Sequence, residues 1–267
     1  MQAKKSAPDP FAFFRPKGKL MPLFEKLLLI FLINFGSAFI QGATGFGYAL
    51  VAMAAMPLFL PMSECSAISA VTVVAIGLQM TIALRKNLKL KVIILPVLCC
   101  FLTINLGLYL LNTVDELLLR IILAGLLLIV TAIFLIMRRK NIALPNRWYS
   151  AAGAGLLTGV STGLFNIVGP FLMVYYINVC QTTFELKASL EFSFLLAGLY
   201  STFMHTFVYH NINLAVMPEL MTSVIAVILA GFLGLKVFRK IDKEKMALFI
   251  YVLLPVMAII LIMKGLT

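Results

Sequence analysis

The sequence predicts an all-α protein that crosses a lipid bilayer several times. Three observations carry this. The 267 residues are 62% hydrophobic and only 12% charged, whereas a soluble domain is about 45–50% apolar and about 25% charged. The mean hydropathy is +1.06. The charged residues gather into short intervals that leave eight runs without Asp, Glu, Lys or Arg: 27–63, 65–84, 92–114, 121–137, 148–184, 192–218, 220–235 and 246–263. Most are near the ~20 residues a helix needs to cross the hydrocarbon.

The net charge of +12 does not point to nucleic acid. Most basic residues stand between apolar runs, where topology sorting places them on the cytoplasmic side. The expected setting is the lipid bilayer of a cell membrane, of the bacterial inner-membrane type. The segment 1–19 reads as a basic tail suited to anionic lipid. It is too irregular for a signal peptide, and the apolar run after it is too long for one. Cys65, Cys99, Cys100 and Cys180 have no metal-site spacing and read as small apolar packing residues.

The first and fifth runs are each 37 residues long. A straight helix of that length measures about 56 Å against a hydrocarbon core of about 30 Å. Each must tilt, break or double back. Each holds glycines near its middle: Gly36, Gly42, Gly45 and Gly47 in the first, followed by Pro57; Gly153, Gly155, Gly159, Gly163 and Gly169 in the second, followed by Pro170. A break there frees backbone groups, tolerated at membrane depth only where they line a cavity or are buried in protein. The competing reading is close helix packing through Gly155, Gly159 and Gly163 at four-residue spacing.

The remaining runs supply ordinary spans, with 115–120 and 242–245 as charged turns between them. The halves resemble each other. Thr44-Gly45-Phe46 answers Thr162-Gly163-Leu164, Glu64 and Ala67 answer Glu185 and Ala188, and Gly107-Leu108 before Asp115 answers Gly234-Leu235 before Asp242. The expected organisation is a tail (1–19), a first membrane repeat (20–137), a basic linker (138–149) and a second membrane repeat (150–267). Each repeat has four segments, the first broken or re-entrant at its glycine cluster. With eight crossings and a cytoplasmic N-terminus, 15 basic residues fall inside and 7 outside; if the fifth run is re-entrant the tally is 20 and 2. The first arrangement keeps the two repeats alike, and the N-terminus is expected to be cytoplasmic.

Amides at a helix start form an anion site with the positive dipole end, and neutral hydroxyls or amides add donors without burying charge. The candidate substrate-binding residues are therefore Gln41, Gly42, Thr44, Gly45, Phe46 and Gly47 in the first cluster. Ser161, Thr162, Gly163, Asn166, Gly169 and Pro170 are their counterparts in the second. Asn34 shares a helix face with Gln41; Gln79 and Asn105 read as interhelical hydrogen-bonders. Glu191, His205 and Lys187 are candidates for coupling or gating, since ionisable groups in spans mark ion paths. The bland alternatives are an interfacial Glu191 paired with Lys187 and a His205 hydrogen-bonded between helices. Lys187 and Arg120 stand as isolated cations that attract an anion or simply mark an interface.

The run Gly42-Ala-Thr-Gly-Phe-Gly with Pro57, and Gly155-x3-Gly159-x3-Gly163-Leu-Phe-Asn-x2-Gly169-Pro170, resemble the signature and second-half opening of the TauE/SafE family, the toluene sulfonate uptake permeases. The resemblance covers nearly the whole chain after Lys19. It implies a secondary transporter of a small anion such as sulfite, a sulfonate or sulfoacetate, coupled to an H+ or Na+ gradient. Asn166 and Val168 stand where a denser glycine run is expected, which bears on the substrate. No ATP-binding loop or metalloprotease motif occurs in the chain, so the expectation is a non-enzyme without cofactor or metal, working by alternating access. The rival readings are a passive channel and a non-transporting membrane scaffold.

Overall fold

The computed structural model describes residues 22–139, 145, 147–238 and 259. Among them the secondary structure is helical, without strands. The α-helices are α1 (Leu23–Thr44), α2 (Tyr48–Ala55), α3 (Met62–Leu84), α4 (Leu90–Thr113), α5 (Glu116–Arg139), α6 (Trp148–Phe165), α7 (Gly169–Val179), α8 (Thr183–Phe207) and α9 (Met217–Phe238). Five are long and apolar enough to cross a membrane: α1, α3 with the turn that follows it, α4, α5 and α9. The tail 1–19, much of the linker and nearly all of the last apolar run, with the charged 242–245, lie outside the described residues.

Prolines and caps set several boundaries. Pro57 lacks an N–H and sits in the short 3-10 turn Met56–Leu58 that follows α2. Pro61 precedes α3, and the first amide of that helix, Met62 N–H, donates to the Glu116 carboxylate at 3.2 Å. Arg120 pairs with Glu116 at 2.8 Å and donates to the Pro57 carbonyl. The segment 115–120 is therefore not a free turn: from Glu116 it is helical, and its charges hold the start of α3 and the end of α2 in place. Thr182 caps α8 by accepting from Glu185 N–H at 3.2 Å, a typical N-cap contact.

Among the described residues packing falls into three principal pairs: α1 with α9, α4 with α6, and α3 with α8. Contacts at two levels give each pair its direction. Lys26 near the start of α1 pairs with Glu219 near the start of α9 at 2.6 Å. Gly42 near the end of α1 rests on Gly231 and Gly234 near the end of α9. These two helices are parallel. So are α4 and α6, where Gly155 meets Pro96, Gly159 meets Cys100, and Gly163 meets Ile104 and Gly107. By contrast α3 and α8 are antiparallel, with Ser66 against His205 and Gly77 against Glu191 and Leu195. Missing side chains let these backbones approach. The four-residue glycine spacing in α6 is thus a packing seam against α4.

The two long apolar runs each form a hairpin. Gly45 (φ 94°, ψ 0°) ends α1 in the left-handed region and Gly47 (φ 111°) opens α2, conformations that glycine adopts without steric cost. After this tip the chain returns along α1. Tyr48 Oη bonds Asn34 and, at 2.5 Å, Thr72 Oγ1, while Asn34 Nδ2 reaches Met56 Sδ at 3.7 Å. In the second hairpin Asn166 (φ 53°, ψ 27°) ends α6, and Pro170 sits in the first turn of α7, where its missing N–H costs nothing. Then α7 runs back antiparallel to α8, with Tyr176 Oη 2.8 Å from Ser193 Oγ and Cys180 Sγ 3.8 Å from Ser189 Oγ. The tips meet: a Cβ added at Gly169 would lie 3.4 Å from Phe46 Cβ.

Candidate functional site

Between the tips lies a cavity of about 10 Å3, room for about one water molecule. Gln41 and Gly47 border it from the first hairpin, with Ala49 and Leu50 of the first turn of α2. Residues 166–170 border it from the second. Val73 of α3 and Phe194 of α8 close the sides. The first turns of α2 and α7 both open onto this space. First-turn amides have no partner within their own helix, and the positive dipole ends favour negative charge.

Gln41 joins the parts. Its Nε2 donates to Glu191 Oε2 at 2.9 Å, and its Oε1 accepts from Tyr48 N–H at 3.2 Å. One side chain thus ties α8 to the two arms of the first hairpin. Gly42 has two roles. Its α-carbon packs on α9, while its carbonyl accepts from Lys187 Nζ. That ammonium therefore sits on the C-terminal, electronegative end of α1. Gly45 also touches Lys187: a Cβ there would lie 3.3 Å from Lys187 Cγ.

Glu191 and Lys187 correct the interfacial reading. Glu191 is 0% and Lys187 2% exposed, and the Lys187 charge acts on Glu191 one turn away. Lys187 in the second turn of α8 packs against the tip of the first hairpin, whereas Thr183 and Phe184 in the first turn are exposed, so the protein interior begins within one turn of the helix start. Glu191 Oε1 is buried without a hydrogen-bond partner.

Several expected donors are engaged within their own segments. Thr44 Oγ1 lies 2.6 Å from Phe46 O and 2.9 Å from Ile40 O. Ser161 Oγ lies 2.7 Å from Ile167 O, and Thr162 Oγ1 donates to Thr158 O at 2.7 Å. These hydroxyls shape the breaks. Gly163 turns its α-carbon to α4, and Phe46, Gly47, Gly169 and Pro170 meet at the tips. Asn166 borders the cavity, and its Nδ2 donates to Ser66 O at 2.7 Å and reaches Ser66 Oγ at 2.9 Å. Asn166 Oδ1 is buried without a partner.

His205 is fully buried and stands apart from Glu191, although the two share a helix face. Its Nε2 is 3.3 Å from Ser66 Oγ on α3 and its Nδ1 2.9 Å from Asn211 Nδ2 in the loop after α8. Gln79 bonds Ile228 O at 3.2 Å and Asn105 accepts from Tyr200 at 3.0 Å, as interhelical links. The sequence reading missed Tyr48, Ser66 and Thr72. Ser66, Ser69 and Thr72 recur every three residues, all fully buried on α3. That polar stripe in an apolar span was the available signal.

These features define a multi-pass helical membrane protein with two hairpins meeting at a small polar centre. The chain belongs to the sulfite exporter TauE/SafE family, whose model matches residues 30–261. It is a transporter family, in agreement with the resemblance read from the glycine motifs. No curated protein and no solved structure matches the chain.

Proposed function

We propose that this protein is a secondary transporter of a small sulfur-containing anion, of the sulfite, sulfonate or sulfoacetate type, working by alternating access around the two tips. One observation carries the reading: the first turns of α2 and α7 border the same cavity. Two positive dipole ends there favour an anion by about 0.3–1 kcal/mol each, up to about 2 kcal/mol where partly buried. Gln41 and Asn166 complete the binding set. At about 10 Å3 the space is too small for an oxyanion, so the tips must part to load it. A standing passive pore would need a continuous opening, which this closure opposes. Glu191 is the proposed coupling group, with a proton as the coupling ion. Purified protein in liposomes should move sulfite or an alkylsulfonate; correctly inserted protein that moves no anion overturns the proposal.

The packing favours two repeats related by an offset of 121 residues from α1 through α3, which widens to 127 residues at α4 and α9. Gly42 pairs with Gly163, Gly45 with Asn166, Glu64 with Glu185, and Ser66 with Lys187. Gly234 presses on Phe39, Gly42 and Ala43, and Gly107 presses on Val160, Gly163 and Leu164; the contacted residues stand 121 apart and the two glycines 127 apart. Likewise α1 on α9 answers α6 on α4. This register shifts the Thr44-Gly45 and Thr162-Gly163 match by three residues. Parallel α1 and α9 beside antiparallel α3 and α8 make the repeats inverted in the membrane, a common transporter design.

The first hairpin returns to the side on which α1 begins. Arg85, Lys86, Lys89, Lys91, Arg147 and Lys236 then share one end of the bundle, and Lys26 and Arg120 the other. Positive-inside sorting favours the first end as cytoplasmic, which puts the start of α1 outside, opposite to the expectation from eight simple crossings. Single cysteines at Lys86 and Lys26 in a cysteine-free background test this. Labelling of Lys26→Cys only from the cytoplasm would refute it.

A further inference from the structure

We propose, resting on the transporter reading, that the carrier binds a singly charged anion together with one proton, so that its cycle moves no net charge. The inference comes from the buried charge inventory. Among the described residues the charged side chains buried at the centre are Lys187 and Glu191. Glu219 is also buried, but it lies at one end of the bundle and pairs with Lys26. In the proposed repeat register the α3 positions answering Lys187 and Glu191 are Ser66 and Ala70. Both are neutral, so α3 brings no matching pair to the tip of the second hairpin.

Each ion kept from water costs several kcal/mol even after relaxation, so states that cross the bilayer with a net central charge are disfavoured. Empty, the centre holds an ammonium and a carboxylate and is neutral. Adding a monoanion leaves it at minus one. One proton on Glu191 restores neutrality, leaving an ammonium, a carboxylic acid and the anion. Glu191 Oε1, buried and without a hydrogen-bond partner, is the oxygen placed to take that proton, while Oε2 keeps its bond from Gln41 at 2.9 Å. The proton comes from water on the loading side and leaves to water on the other. A dianion would need two protons, and the centre has one carboxylate, so within the proposed substrate class this selects hydrogen sulfite and monosulfonates and excludes the doubly charged sulfoacetate.

The groups around Glu191 leave this balance to the pair. On its own helix Lys187 acts on it, while α1 presents Gln41 and α3 meets this turn with Gly77. The hydroxyls of Tyr48 on α2 and Tyr176 on α7 are engaged with Asn34 and Thr72 and with Ser193 respectively. His205 bonds Ser66 and Asn211.

The test uses the full chain in liposomes, offered sulfite, methanesulfonate (singly charged throughout the pH range) and sulfate. Proton gradient and membrane potential are set independently. Uptake of sulfite or methanesulfonate should follow the proton gradient, with one proton entering per methanesulfonate, and should not respond to potential. A cycle that moved one net charge would shift accumulation about 50-fold under about 100 mV. A potential-driven shift of that order, uptake without proton entry, or accumulation of sulfate overturns this inference and leaves the transport reading standing. Flux of none of the three overturns the transport reading and this inference with it. Glu191→Gln supplies a second readout: the ratio of net proton-driven uptake to counterflow exchange should fall tenfold or more, and an unchanged ratio overturns the proposal. If that variant does not fold, the potential measurement on the natural protein still decides.

Discussion

Three glycines in and just after α1 should respond to one and the same substitution with different signs. At Gly36 an added Cβ meets nothing within 4 Å, and an alanine in a helix interior is favoured over glycine by about 0.5–1 kcal/mol. Gly36→Ala should therefore stabilise. At Gly42 the Cβ would lie 2.9 Å from Gly234 Cα and 3.2 Å from Gly231 O. Both are backbone atoms that yield only if α1 and α9 move apart, and overpacking of this kind costs about 1–3 kcal/mol. At Gly45 the difficulty is mainly conformational. The residue sits at φ 94°, and a left-handed conformation costs an L-residue about 1–2 kcal/mol. Contact with Lys187 Cγ at 3.3 Å adds to this. A loss of about 2 kcal/mol corresponds to about a 30-fold change in the folding equilibrium. Reversible unfolding in mixed micelles, followed by tryptophan fluorescence or circular dichroism, measures all three variants under one condition. The expected order of stability is Gly36→Ala, then the natural protein, then Gly45→Ala and Gly42→Ala. A Gly45→Ala protein as stable as the natural one would refute the left-handed tip, and with it the hairpin.

Two further outcomes follow from the packing. Gly163→Ala pushes a Cβ into the Ile104 carbonyl and to 2.7 Å from Leu108 N; in the same assay it should lose about 1–3 kcal/mol, while Gly153→Ala, with open space at its Cβ, should lose nothing. Lys26 and Glu219, with side chains 28% and 5% exposed, form a half-buried pair; Lys26→Glu leaves the buried Glu219 carboxylate beside a like charge and should destabilise by more than the about 1 kcal/mol of an exposed pair, up to about 3–5 kcal/mol, and the Lys26→Glu, Glu219→Lys exchange should restore part of the loss.

The membrane class and the two interruptions were legible because they depend on local matters: length, hydropathy and the few residues that adopt positive φ. The partners of the glycines were not. Gly45 and Gly163 share a letter for unlike reasons, one a left-handed tip and the other a packing contact with α4. In the proposed register the counterpart of Gly45 is Asn166, a different letter that also lies in the left-handed region. Matching by residue type and matching by packing thus differ by three positions at this point of the repeat. Lys187 illustrates a second limit. A lysine near the end of an apolar run belongs at an interface unless another segment covers it, and here the covering segment is the tip of a hairpin more than a hundred positions earlier in the chain. Ser66 and Thr72 were unremarkable alone, since hydroxyls in a helix commonly bond their own backbone. Their importance comes from Asn166 and Tyr48, which arrive from other helices.

Gln41 gives the sharpest test of whether the centre acts as a unit. It donates to Glu191 and accepts from Tyr48 N–H, so Gln41→Leu leaves a buried carboxylate oxygen and a buried amide without partners. A buried group left unsatisfied costs about 1–3 kcal/mol, and more if it is charged. Glu191→Leu removes the carboxylate, leaving the Gln41 amide without its acceptor and the Lys187 ammonium, still on the Gly42 carbonyl, without its nearby counter-charge. If the bond from Gln41 to Glu191 couples the first hairpin to α8, the double variant should be more stable than the sum of the two single losses predicts. The expected coupling is about 0.5–3 kcal/mol. Unfolding of the four proteins in the same micelles closes the cycle. Strict additivity would mean that the two side chains lie side by side without energetic connection. Protonation of Glu191 would then have no route through Gln41 to the tip that must move.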